Sequence, residues 1–60
     1  MQEYSIPKCI AAMEEMLDMT DDDKVLACDV FKDAANREVF LSLDVMLRAK
    51  WLKNQIKNVP

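Results

Sequence analysis

Not one glycine occurs in the 60 residues, and proline stands only at Pro7 and Pro60. A β-rich fold of this size reverses through tight turns whose central residues take positive φ, which glycine adopts without steric cost. A chain without glycine turns more widely, and helices joined by short corners meet that need. Helix punctuation is present. Ser5 is placed to cap a helix with Pro7 in its first turn, where the missing N–H costs nothing. Thr20 and Asp23 form a capping-box pattern with Asp in place of Glu. Asp21, Asp22 and Asp23 fall in the first turn that follows, where the helix dipole favours negative charge. Asp33 and Asp44 offer two more caps. The reading is one all-α domain over residues 1–60, a small bundle of four short helices at about 6–17, 21–32, 34–43 and 45–57.

The apolar patterns predict how these helices pack. The first carries one stripe, Ile6, Cys9, Ile10, Met13, Met16 and Leu17, at helical spacing. The second is apolar over most of its circumference (Val25, Leu26, Ala27, Cys28, Val30, Phe31), which predicts the central position. The third turns Ala35, Val39, Phe40 and Leu43 inward and Leu41 away. The fourth has two stripes, Val45, Ala49, Leu52 and Ile56 on one side and Leu47 with Trp51 on the other. The expected core includes Ile10, Met13, Leu26, Val30, Phe31, Val39, Phe40 and Leu52. The stretch DVFKDAANREVF, residues 29–40, then reads as a helix–helix corner. Arg37 within it is expected to reach an acidic residue of the first half of the chain, with an interface anchor as the competing role.

Fifty-two per cent apolar residues suffice for a small core, although a chain of this length buries only about 60% of its unfolded surface and gains from a partner. No apolar run approaches the ~20 residues that span a bilayer, and no signal-peptide pattern opens the chain, so no membrane role is expected. Cys9 and Cys28 lie 19 apart in apolar helical patterns without a CxxC. They read as reduced core thiols, which fits an intracellular setting, with a disulfide or metal site as the alternative. The net charge of −3 conceals an asymmetry: residues 1–29 hold eight acids and two bases, residues 30–60 six bases and three acids. Solvated faces explain it most simply, and partner steering is the other reading.

Chemistry is scarce. The run TDDDK lacks the ligand spacing, central glycine and closing Glu of a calcium loop, and helix capping accounts for it. There is no histidine, Ser5 and Ser42 stand alone, and no glycine loop exists to cradle a phosphate. No catalytic residue, metal site or cofactor is expected, hence no enzyme. Lys50, Lys53 and Lys57 share one face of the last helix with Arg48 nearby, so a nucleic-acid contact is the alternative function, although four cations on an acidic domain make a weak electrostatic footprint.

The segment ACDVFKDAANREVFLSLDVMLRAKWLKNQI resembles part of plant Myb/SANT-like proteins, a family related to the accessory proteins of Harbinger-type transposons. The resemblance rests on Phe31-Lys32-Asp33, Asn36-Arg37-Glu38, Phe40, Leu43, Arg48 and Trp51-Leu52, and extends loosely through IPKCIAAMEEMLDMTDDDK. The tryptophans of a Myb repeat are missing, with Trp51 the single one. What the resemblance implies is the C-terminal contact part of a nuclear, DNA-associated, transcription-related protein, without its DNA-reading domain. The surplus of apolar residues points the same way, to a protein–protein interaction module that binds another protein or pairs with itself as a homodimer. The candidate partner-binding residues are Leu41, Leu47, Trp51, Arg37 and Arg48. Trp51 has two readings at this stage, the closing of the bundle and the centre of an interface.

Overall fold

The computed structural model describes residues 4–58, so the ends of the expected domain, 1–3 and 59–60, lie outside the described residues. Four helices follow one another: α1 (Ile6–Glu14), α2 (Asp21–Val30), α3 (Ala34–Ser42) and α4 (Val45–Lys57), with no strand among the described residues. The bundle has a radius of gyration of 10.3 Å. Every helix begins where the caps place it. The Ser5 hydroxyl accepts from the Lys8 N–H. Thr20 and Asp23 exchange reciprocal bonds of 3.1 and 3.4 Å. Asp33 and Asp44 each accept from the N–H two residues on, at 2.9 Å. Each such cap is worth about 1 kcal/mol.

The helix ends differ from the sequence reading. Expected to run to residue 17, α1 stops at Glu14, where short turn bonds run from Glu15 N–H to the Ala12 carbonyl and from Met16 N–H to Met13. Leaving the helix here re-aims the chain: Met19 is buried while Leu17 is 96% exposed. A continued helix would put Leu17 on the stripe and Met19 off it. α2 and α3 close two and one residues earlier than the expected 32 and 43. No described residue has positive φ, so the corners are built from ordinary backbone.

The core consists of Cys9, Met13, Met19, Ala27, Val30, Phe31, Phe40, Leu52 and Ile56. At its centre Phe31 and Phe40 meet with ring centroids 5.0 Å apart at 49°, a tilted contact that aromatic quadrupoles favour. The expected core positions Met13, Val30, Phe31, Phe40 and Leu52 are buried, and Ile10 packs half-buried against them. Leu26 and Val39 do not belong, at 37% and 41% exposure. α2 is also not central. It packs on α4, α1 packs on α3, and α3 packs on α4, so the middle belongs to α3 and α4. The reason is the helix's single inward face. Ala27 is fully buried and small enough for close approach to α4, with Val30 a turn below and Phe31 at the end, which leaves Val25, Leu26 and Cys28 on the solvent side.

Both cysteines are free, but only Cys9 is in the core; the expectation of two core thiols fails for Cys28, which is exposed. Burial pushes the Cys9 thiol above its ordinary range, opposed in part by the charges of Arg37 and Arg48. A raised native value means a contribution to stability that is full below the unfolded thiol's value and is lost as pH rises through the native one.

Two measurements test this packing. Phe40→Ala should cost about 3–5 kcal/mol in urea denaturation and unfold so small a domain, while Leu26→Ala should cost less than about 1 kcal/mol. In the native protein at mildly alkaline pH a thiol reagent should titrate Cys28 rapidly and reach Cys9 only as the chain unfolds; equal rates for both would place Cys9 outside the core.

Candidate functional site

Without glycine, the carbonyls that a helix leaves orphaned at its C-terminus need another donor. Two arginines supply it. Arg37, four residues past the cap Asp33, reaches back over the corner: its Nη1 donates to the carbonyls of Phe31 at 2.7 Å and Lys32 at 3.2 Å, and its Nε to that of Tyr4 at 2.8 Å. Arg48, four past the cap Asp44, repeats this on the end of α3. Its Nε donates to Phe40 (3.0 Å) and Leu43 (3.1 Å), its Nη2 to Leu41 (2.9 Å), and the guanidinium lies 5.7 Å from the centre of the Phe40 ring. Asn36 adds a bond to the Val30 carbonyl at 3.0 Å. Lys24, four past the cap Thr20, also reaches backwards, to Glu14 at the end of α1 at 3.1 Å.

The two arginines, candidates for partner binding, therefore each turn Nε and one Nη into the fold. Among the described residues Arg37 meets no acidic side chain, and three backbone carbonyls converge on its guanidinium; Glu3, an acid of the first half, lies outside the described residues. Leu41, expected to point away, is half-buried and packs against the core. The spacing Asp-x-x-x-Arg, present at both Asp33–Arg37 and Asp44–Arg48, is the sequence signal that reveals this capping role.

Leu47, Trp51 and the three lysines do come together. An open groove of about 540 Å³ is lined by Leu43, Leu47, Lys50, Trp51, Lys53, Asn54 and Lys57. Trp51 is half-buried, 6.1 Å from the Phe40 ring at a 37° tilt, and it also forms part of the groove. Its indole N–H has no protein acceptor among the described residues and is not sealed from solvent. Leu47 is 51% exposed and Met46, one residue before it, 84%. Lys53 lies 3.5 Å from Asp18; with Lys32–Asp29 at the boundary it is one of two ion pairs that join the acidic and basic halves among the described residues, whereas Lys50 and Lys57 have no ion-pair partner there. No group of three or more metal-ligating side chains assembles among the described residues, and no described helix is long and apolar enough to cross a membrane.

Comparison with known protein families, with curated proteins and with solved structures finds no match for this chain.

Arg48→Ala should leave three carbonyls without their donor and cost about 2–3 kcal/mol in chemical denaturation, in the range of charge-assisted hydrogen bonds. Arg48→Lys should recover less than half of this, since an ammonium cannot hold the planar fork. Full recovery by lysine would mean that charge rather than geometry is what counts.

Proposed function

We propose that this chain is a non-enzymatic protein–protein interaction module whose docking surface is the α4 groove. The observation that carries the reading is Trp51, a large side chain anchored on Phe40 at one side and lining an open groove at the other. A rigidly supported aromatic beside exposed aliphatic carbons is the usual centre of a contact surface, because it buries much area at little cost in side-chain freedom. Leu47 and Met46 extend the apolar surface along α4, beyond what this small bundle buries. Leu41, Arg37 and Arg48 do not line the groove.

The resemblance to plant Myb/SANT-like proteins supports a nuclear setting and a DNA-associated partner complex, and two free cysteines accord with a reducing compartment. Self-association is one form of this activity. A two-fold pairing of groove on groove sets lysine against lysine, so a different partner surface fits better. The second reading, a nucleic-acid contact, has the row Lys50, Lys53 and Lys57 in its favour. It is the weaker one, since Lys53 is engaged by Asp18 and the chain as a whole carries −3.

Selection from a displayed library of helical peptides tests the reading. Binders should shift Trp51 fluorescence to the blue, and Leu47→Asp should abolish binding while changing unfolding stability by less than about 0.5 kcal/mol, as for an exposed position. Failure to select any binder, together with a monomeric mass by light scattering at high concentration, would refute it.

A further inference from the structure

We infer that the occupant of the α4 groove is an acidic amphipathic helix of a partner protein, with carboxylates along one flank only. This rests on the groove being a docking surface and adds the chemistry of what docks. At 100° per residue, Leu47 and Trp51 form a ridge on α4, while Lys50, Lys57 and Lys53 all lie about 60–120° to one side of Leu47. The opposite side of α4 turns into the core through Leu52 and Ile56. The groove is thus apolar along its length and cationic along one edge.

The spacing sharpens this. Lys50 and Lys57 are seven residues apart, two turns or about 10.5 Å along the axis, with Trp51 between them in height. Neither has an ion-pair partner among the described residues. A helix laid into the groove meets them with two carboxylates seven residues apart, and its leucines or aromatics, at i, i+3, i+4 and i+7, cover Leu43, Leu47 and Trp51. Charge complementarity selects the acidic partner and its direction, while the apolar ridge supplies most of the attraction.

The test uses the full chain and a designed helical peptide with an apolar stripe of that spacing and two Glu residues seven apart on one flank, read by Trp51 fluorescence. Three controls accompany it: the same peptide with Gln, the same with Lys, and a short DNA duplex. The Glu peptide should bind about three- to tenfold tighter than the Gln peptide at low salt, the gain expected of two exposed ion pairs, and the Lys peptide should bind weakest. The double variant Lys50→Glu/Lys57→Glu, on exposed positions, should reverse that order. Equal binding of Glu and Gln peptides overturns the acidic partner while leaving the groove a docking surface. A duplex that binds tighter than any peptide, with a steep salt slope, assigns the lysines to nucleic acid instead. If no probe binds and the mass doubles with concentration, the occupant is a second copy; if no probe binds and the chain stays monomeric, the docking surface itself is refuted.

Discussion

Everything in this bundle depends on how its helices end. An α-helix leaves four carbonyls unsatisfied, and the common remedy is a left-handed residue, usually glycine, that folds the chain back on them. This chain has none. At the end of α2 the backbone N–H groups of Phe31, Lys32 and Asp33 turn back on Ala27, Asp29 and Val30, while Arg37 takes the carbonyls of the cap Phe31 and of Lys32. At the end of α3 Arg48 takes those of Phe40, Leu41 and Leu43. Because each guanidinium comes from the next helix, closing one helix also fixes the angle at which its successor leaves. Phe31 and Phe40 sit at the two ends so closed, and their ring contact is the centre of the core. Capping and packing are therefore one event at each corner. Each side chain at a corner has two neighbours to satisfy.

The corners share a plan. A cap residue accepts an N–H at the start of its own helix, and the cation four positions later turns back to the preceding one: Thr20 with Lys24, Asp33 with Arg37, Asp44 with Arg48. The four-residue spacing follows from the helical repeat, which sets a side chain at i+4 above the cap on the same face. The first corner differs in kind. Lys24 meets a solvated carboxylate rather than carbonyls, and such a pair holds little. At that corner the burial of Met19 does the fastening instead.

The starts of all four helices were legible because each is written in one residue, Ser5, Thr20, Asp33 or Asp44, whose side chain acts locally. The end of α1 was not, since no glycine or proline marks it and the turn exists to bury Met19, a tertiary reason. The core positions read correctly are large residues on a clear stripe. Leu26 misled because hydrophobicity around a whole helix does not say which arc a neighbour covers, and Val39 because the core covers a narrower arc of α3 than its apolar positions span; the buried face of α2 is Ala27 with Val30. Of the candidate site, the Leu47–Trp51 stripe and the lysine row were visible from helical spacing alone. That they line one groove was not, nor was the withdrawal of Arg37 and Arg48 into the fold. Both depend on where the preceding helix ends.

The reach of the arginines along the chain bears on how the protein comes together in time. Arg48 touches carbonyls five to eight positions before it, and Arg37 two that lie five and six before it. Contacts this local close within tens of nanoseconds of chain diffusion, long before distant segments meet. The corners are thus ready to form first, each setting a helix pair at its final angle, so that assembly becomes the docking of prepared hairpins rather than a search by separate helices. One bond breaks the rule: Arg37 to Tyr4 spans 33 positions. It ties the entrance of the first helix to a corner already made, and so belongs among the last contacts to close and the first to open.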